Sequence, residues 1–149
     1  MTGNANLFAH FQQHFPADLN TQLLTEVNGC GTTYLQADEA SPRIANTLLQ
    51  LGAGSGDRVT VQVEKSVENL YLYLACLRAG LVYHPLNTAY TASELAYFLE
   101  NAEPTIVICA SDALTTIKSV LPTNGIKALL TLDADGSGTL MQQAEGASS

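Results

Sequence analysis

Residues 57–87 read DRVTVQVEKSVENLYLYLACLRAGLVYHPLN, and this stretch carries the strongest indication of the fold. Apolar residues first alternate at Val59, Val61 and Val63, as they do in a β-strand. A helical spacing of apolar residues follows as far as Gly80, and a short apolar segment then ends at Pro85. The order strand, helix, strand predicts two parallel strands joined by a crossover helix.

The pattern continues downstream. Residues 91–94 (TASE) form a capping box that starts another helix, and Pro104 prevents its continuation. Residues 105–109 and 126–132 are two further strand candidates, and Ser111 is expected to cap a helix between them. We therefore predict an α/β fold, a parallel sheet with flanking helices.

Upstream, Thr33 and Gln36 form a second capping box, and Gly52 is a plausible helix terminator. Pro42 lies inside this helix, where it removes a backbone donor and clashes with the preceding turn. The helix is expected either to kink there or to restart, with Ser41 as its N-cap and Pro42 at its first position.

Three segments follow from these patterns. Residues 1–31 are predicted to be a loosely structured arm with one short helix, and residues 32–135 the α/β portion. Residues 136–149 are small and polar, and we expect a tail at a truncation point that adds no paired element.

Composition excludes several classes of function. A hydrophobic share of 46% and a charged share of 13% over 149 residues predict a packed core. Six Lys+Arg against fourteen Asp+Glu give a formal net charge of −8. Nucleic acids and anionic membranes bind basic surfaces, so we predict neither as a partner.

Cysteine usage and the absence of targeting signals favour a reduced, cytoplasmic protein. Cys30, Cys76 and Cys109 are odd in number, far apart and never in a C-x-x-C pair. Cys76 and Cys109 lie in apolar segments, where thiols are usually small buried hydrophobes. Residues 1–15 lack a signal-peptide pattern, and no segment reaches the roughly 18 apolar residues of a membrane span.

Two glycine-rich segments superficially resemble phosphate loops. A phosphate loop follows a strand and precedes a helix, so that helix-terminal N–H groups point at the phosphate. Residues 52–57 (GAGSGD) follow a helix and precede a strand, and residues 135–138 (DGSG) have no lysine at the required spacing. Both are interpreted as turns.

Three histidines are candidate ligands or catalysts. His10 and His14 are four residues apart and could share one helical face, but no third ligand is evident. His84 follows a predicted strand, where α/β proteins place functional groups, although a histidine capping the sheet edge is the favoured interpretation.

Nucleophilic motifs are absent from the sequence, and the charged residues near the central helix have ordinary explanations. There is no G-x-S-x-G elbow and no Cys–His signature. Glu64, Lys65 and Glu68 are interpreted as solvated charges at the helix start, and Arg78 favourably complements its end. We assign no catalytic, cofactor-binding or metal-binding residue.

Four phrases, in order, carry a resemblance to a known superfamily: GDRV (56–59), LACLRAG (74–80), YHPLN (83–87) and AEP (102–104). Together they resemble the N-terminal part of adenylate-forming acid:CoA ligases, the AMP-binding or acyl-CoA synthetase superfamily. The match covers residues 32–135. The phrases VQVEKS, LYLACLRAG, PLNTAYT and SELAYFLENAEP most resemble malonyl-CoA synthetases.

The resemblance implies a two-step reaction in a full-length parent. ATP activates a small carboxylic acid as an acyl-adenylate, and CoA then displaces AMP to give the thioester. ATP, Mg²⁺ and CoA are implied for that parent, with the remainder of the ligase as partner. The family's phosphate loop, adenine motif, hinge and C-terminal lysine have no match here. The chain alone is therefore expected to be an inactive fragment.

Two other interpretations were considered, of which the first stays open and the second is weaker. A four-stranded α/β layer could be a free-standing binding or interaction module whose sheet edge pairs with a partner. A flavodoxin-like nucleotide binder would need a glycine-rich loop after the first strand, and residues 65–67 (KSV) are too poor in glycine.

Overall fold

The computed structural model describes residues 6–147. Its six helices are α1 Leu7–Gln12, α2 Tyr34–Gln50, α3 Val67–Ala79, α4 Ala92–Ala102, α5 Leu114–Val120 and α6 Thr139–Gly146. Its six strands are β1 Gln22–Thr25, β2 Gly31–Thr33, β3 Arg58–Gln62, β4 Val82–Pro85, β5 Ile106–Cys109 and β6 Ala128–Thr131. A 3₁₀ turn, Ser111–Ala113, precedes α5.

The main sheet has four strands in the order β4-β3-β5-β6, and every neighbouring pair is parallel. The residue Val59 of β3 is paired with Tyr83 of β4 on one side and with Ile106 of β5 on the other. The α/β fold with a parallel sheet and flanking helices is therefore confirmed.

Helices cover both faces of this sheet. Alternate residues of a strand point to opposite faces, so each strand contributes side chains to two clusters. On β5, Ile106 and Ile108 pack in one cluster with α2, α3 and α6, whereas Val107 and Cys109 pack in another with α4 and α5. All four are buried, which explains why the strand is a continuous apolar run without alternation.

The N-terminal arm contains more structure than was expected. The predicted short helix is α1, whose buried Phe8 packs with Leu74 of α3. The strands β1 and β2 form an antiparallel pair that the sequence did not predict. With lengths of four and three residues, they are too short to show a period of two.

The helix α2 runs without interruption through Pro42, so of the two alternatives the restart at Ser41 is wrong. Proline lacks the N–H that would bond to the carbonyl of Asp38, four residues earlier. Arg78 of α3 donates to that carbonyl from Nη2 at 3.4 Å, and from Nε to Ser41 Oγ at 2.8 Å. The hydroxyl of Ser41 donates to the carbonyl of Ala37. A neighbouring helix thus compensates for the missing bond.

Most predicted helix ends are confirmed. Capping boxes are present at Thr33 and Thr91, Ser66 caps α3, and Gly80 ends α3 with φ of 68°. The cap predicted at Ser111 is wrong, because no side-chain cap bond forms there. The Ser111 hydroxyl instead donates to Asp133 after β6 at 2.6 Å.

Residues 136–149, expected as a polar tail, contain the helix α6. Its Leu140 is fully buried and its Ala144 nearly so, and both join the cluster beneath α2. Gly138, at φ of 129°, precedes the helix, and a Cβ there would collide with the backbone of Thr131.

The three-segment division of the chain remains a prediction. No helix within residues 6–147 combines the length and hydrophobicity needed to cross a bilayer.

Candidate functional site

The order of the strands places a crevice at the carboxyl edge of the sheet. From β3 the chain crosses through α3 to β4 on one side, whereas from β5 it crosses through α5 to β6 on the other. The loops after β3 and β5 therefore leave in opposite directions. Open α/β sheets typically bind ligands at such a topological switch point.

A cavity of about 250 Å³ lies at this point, and we call it the edge cavity. It is lined by Gln62, Glu64, Thr88, Ala89, Ala110, Asp112 and Ala113. These residues come from the end of β3 and from the segments that follow β3, β4 and β5. The cavity is therefore assembled by the tertiary fold.

The most unusual of these side chains is that of Gln62, the last residue of β3, which is 3% exposed. Its Nε2 donates to the carbonyl of Asn87 at 3.0 Å. Its Oε1 is buried and has no hydrogen-bond partner among the described residues. A buried acceptor without a donor is costly, so native structures rarely leave one unpaired.

Negative charge surrounds this end of the sheet. Glu64 and Asp112 line the edge cavity, and Asp133 follows β6. Hydrogen bonds from the Ser111 hydroxyl and then its backbone N–H hold the pKa of Asp133 below its ordinary value. Burial raises the pKa of the Cys109 thiol to about 11, and Asp133 and Asp112 add to this effect.

The histidine singled out in the sequence, His84, lies on the edge strand β4, one strand away from the cavity. It is paired in register with Thr60 of β3, and its Nδ1 lies 2.9 Å from the Thr60 hydroxyl. Partial burial, and then the positive charge of Arg58, lower its pKa. These contacts favour the interpretation of a histidine that caps the sheet edge, and the side chain does not line the edge cavity.

The other two histidines do not line the edge cavity. The rings of His10 and His14 are 5.0 Å apart between centroids, beside a mostly apolar cavity of about 450 Å³ between the arm and α3. Within residues 6–147 no three His, Cys, Asp or Glu residues are grouped closely enough to hold a metal ion. This cavity is larger than the edge cavity, and its polar side chains are those of His10, His14 and Tyr34.

The glycine-rich segments are turns, as interpreted. Gly52 and Gly56 have φ of 98° and 86°, and the Asp57 carboxylate accepts from the N–H of Gly54 at 2.9 Å. That bond is the first cause of the lowered pKa of Asp57. In the second segment, Asp135 accepts from Ser137.

The residues Gln62, Thr88 and Asp112 were not singled out in the sequence, from which no site residue was assigned. Gln62 carried only a weak signal, as a polar residue at the end of a predicted strand, and this signal did not by itself indicate a site. Thr88 and Asp112 carried none, because exposed polar residues are common in loops. That no residue here is catalytic remains a prediction.

Comparison with known proteins shows which families and proteins this chain resembles. The AMP-binding enzyme family matches residues 12–149. Medium-chain fatty-acid–CoA ligase of Escherichia coli K12 is 33% identical over 101 residues, which cover 68% of this chain and 18% of that protein. A linear gramicidin synthase polypeptide of Brevibacillus parabrevis is 37% identical over 103 residues, 69% of this chain and 2% of that protein.

Solved structures give a closer match. ATP-bound MatB from Rhodopseudomonas palustris superimposes with a TM-score of 0.90 and 43% identity, covering 98% of this chain and 29% of that one. A benzoate CoA ligase from Burkholderia xenovorans shares the fold, at a TM-score of 0.81 and 20% identity over 96% of this chain and 29% of that one. The chain thus spans less than a third of the length of these relatives.

Proposed function

The chain belongs to the AMP-binding enzyme family, as the N-terminal region of an adenylate-forming acid:CoA ligase, and we propose that its ligase activates malonate. The observation that carries the proposal is the likeness to MatB, a malonyl-CoA synthetase, at 43% identity over 98% of the chain. The fatty-acid and gramicidin relatives support the adenylate-forming chemistry but a different acid.

The proposed reaction has two balanced steps. A malonate carboxylate oxygen attacks the α-phosphorus of ATP, the bond to the β-phosphate breaks, and pyrophosphate leaves. The CoA thiolate then attacks the acyl carbon, and AMP leaves with the electron pair of the broken C–O bond. Such chemistry depends chiefly on charge neutralisation and positioning.

The described residues do not fit the phosphates of ATP or a magnesium ion. The segment after β3, residues 63–66, contains no glycine, and residues 52–57 run from a helix into a strand. Neither arrangement aims a row of N–H groups at a phosphate. We therefore assign no step through ATP or Mg²⁺ to this chain and propose that it is inactive alone.

The proposed role of the chain is to form one layer of the ligase. The outer edges of β4 and β6 pair with no strand among the described residues. Unpaired strand edges expose N–H and C=O groups that favour pairing with another segment. The remainder of the ligase is the proposed partner.

The proposed location of the protein is the cytoplasm, which the three unpaired cysteines support.

A chimera tests this role. The segment of R. palustris MatB that superimposes on this chain is replaced by residues 1–149, and malonyl-CoA formation is measured with ATP, Mg²⁺, malonate and CoA. We expect an active chimera, because the exchanged layers superimpose with a TM-score of 0.90. The chain alone, and MatB without its own segment, are the matched controls and should form no product.

Two outcomes would count against the proposal. Thioester formation by the isolated chain would show that it carries the catalytic groups itself. A folded chimera without activity would favour the alternative, a free-standing interaction module. In that case the isolated chain should be a monomer that does not bind the dye ANS, since a module buries its own apolar surface.

A further inference from the structure

We infer that Asn124, in the loop between α5 and β6, is a site of covalent modification by deamidation, and that the fold protects the chemically identical pair Asn28-Gly29. The sequence contains Asn-Gly at residues 28–29 and at residues 124–125. The inference stands on the different hydrogen bonds of these two pairs in the folded chain. It does not depend on the proposed ligase role.

The reaction needs only water as a co-reactant. The backbone nitrogen of the glycine loses its proton to solvent base and attacks Cγ of the asparagine. A new C–N bond closes a succinimide ring, the Cγ–Nδ2 bond breaks, and ammonia leaves with a proton from solvent. Water then adds to one of the two ring carbonyls and breaks its bond to the nitrogen, which regains a proton. The product is aspartate or isoaspartate. Glycine favours the attack because it has no Cβ to crowd the ring.

The two pairs match in exposure and in backbone conformation. Asn28 lies between β1 and β2, and both it and Asn124 are exposed. Gly29 and Gly125 have φ of 88° and 93°, and an added Cβ would meet no atom within 4 Å at either position. Water and solvent base therefore reach both pairs, and access does not distinguish them.

At Asn28-Gly29 hydrogen bonds hold both reacting groups. The N–H of Gly29 donates to the carbonyl of Glu26 at 2.9 Å, so this bond must break before the nitrogen loses its proton. The Oδ1 of Asn28 accepts from the N–H of Cys30 at 2.8 Å, and its Nδ2 donates to Glu26 Oε2 at 3.5 Å. Bonds that must break before the reaction add to its barrier, so the pair is protected.

At Asn124-Gly125 neither reacting group is held. Among residues 6–147, the side-chain amide of Asn124 and the N–H of Gly125 form no hydrogen bond. Both residues line a cavity of about 430 Å³. The asparagine side chain can therefore turn, and the glycine nitrogen can lose its proton, without breaking a hydrogen bond to the protein.

The modification changes the surface beside α4 and the chain before β6. Glu100 and Glu103 line the same cavity as Asn124, so either product adds a third carboxylate there. Isoaspartate also lengthens the backbone by a methylene group. The N–H of Lys127, three residues later, donates to the carbonyl of Thr105 at 2.7 Å, so the longer backbone lies close to the sheet.

The test is incubation of the native chain at pH 8 and 37 °C, followed by tryptic digestion and tandem mass spectrometry. Trypsin places Asn124 in peptide 119–127 and Asn28 in peptide 1–43. We expect the mass gain of an NH₂-to-OH exchange to accumulate about tenfold faster at Asn124, the factor that one or two hydrogen bonds add to a barrier. Equal rates at the two residues, or a faster reaction at Asn28, would overturn the inference.

Incubation in denaturant separates the effect of the fold from that of the sequence. Without the hydrogen bonds around Asn28, both pairs should react at similar rates. An undiminished preference for Asn124 in denaturant would overturn the inference, because neighbouring residues in the sequence would then be its cause.

The variant Asn124→Gln is the matched control, since it keeps an amide at the same exposed position. The mass gain of peptide 119–127 should disappear, and the rate at Asn28 should stay the same. Persistence of that gain would contradict the inference. The native peptide should also give two products of equal mass that separate by chromatography, and aspartate alone would contradict the ring mechanism.

Discussion

At the scale of single residues, Arg78 explains how a proline is tolerated inside α2. Its guanidinium reaches the carbonyl of Asp38 that Pro42 leaves free, and it also forms an ion pair with the Asp38 carboxylate. The same group lies 3.7 Å above the ring centroid of Phe8 in α1. One side chain thus connects three helices.

We predict that Arg78→Met lowers the free energy of unfolding by about 2 kcal/mol, because it removes hydrogen bonds to a charged donor in a partly buried place. Urea unfolding followed by circular dichroism measures this value. Arg43→Met, at an exposed position of α2 outside this network, is the control and should change stability by less than about 0.5 kcal/mol.

The dependence on Pro42 can be isolated with a double-mutant cycle. Pro42→Ala restores the N–H that bonds to the Asp38 carbonyl, so Arg78→Met should cost less in that background. An equal cost in both backgrounds would contradict the compensating role of Arg78.

The cysteines differ in a way that solution chemistry can detect. Burial raises the pKa of Cys76 to about 12 and, with the acidic neighbours, that of Cys109 to about 11, whereas Cys30 is exposed. The thiolate is the reactive species, so both buried thiols remain protonated and unreactive near neutral pH. We predict one rapidly reacting thiol per native chain with a disulfide reagent at pH 8, and three in denaturant. Rapid labelling of native Cys30→Ser would contradict this prediction.

At the scale of elements, the helix starts follow directly from local chemistry. Thr91 and Glu94 close a reciprocal cap on α4, and the Thr91 backbone N–H, then its hydroxyl, lower the pKa of Glu94. The same arrangement at α2 uses a glutamine, Gln36, which forms the bonds without titrating. We therefore expect the two caps to respond differently to acid.

We predict that Glu94→Gln reduces the sensitivity of the fold to acid. A pKa lowered in the folded state adds stability above the ordinary value of 4.5, and that contribution is lost as pH falls through the folded value. The native chain should be the more stable at pH 7, and the difference in thermal midpoint should shrink as the pH is lowered below 4.5. Glu100→Gln on the same helix is the matched control, and an equal pH response in both variants would refute the cap's contribution.

At the scale of the whole molecule, distant parts of the chain share one core. The helix α6 packs its Leu140 beneath α2, in the same cluster as Ile44 and Leu48 of α2 and the inward residues of β3 and β5. Residues near the end of the chain therefore contribute to the stability of residues more than ninety positions earlier.

We predict that Leu140→Ala lowers the free energy of unfolding by about 3 kcal/mol, because it leaves a cavity in this shared core. Urea unfolding curves from circular dichroism and from tyrosine fluorescence should move together. Gln143→Ala, at an exposed position of the same helix, is the control and should have little effect. An unchanged midpoint in Leu140→Ala would show that α6 is peripheral.

The elements of the α/β layer could be located without the structure, because their signals are local in the sequence. Capping residues, glycine ends and the spacing of apolar residues located β3, α3, β4 and α4 to within a residue or two. Sequence reasoning failed where the partner is distant. Arg78, thirty-six positions after Pro42, supplies the hydrogen bond to the Asp38 carbonyl that Pro42 cannot donate. Ser111 donates to Asp133 and does not cap its own helix.

The candidate site, in contrast, could be found only in the folded chain. The edge cavity exists because β5 is inserted beside β3, which brings the segments after β3, β4 and β5 to the same edge of the sheet. Gln62 is an ordinary polar residue in the sequence, and its Oε1 becomes an unpaired acceptor only when the neighbouring strands bury it. Hydrogen-bond satisfaction depends on every group within reach, and residues distant in the chain supply those groups.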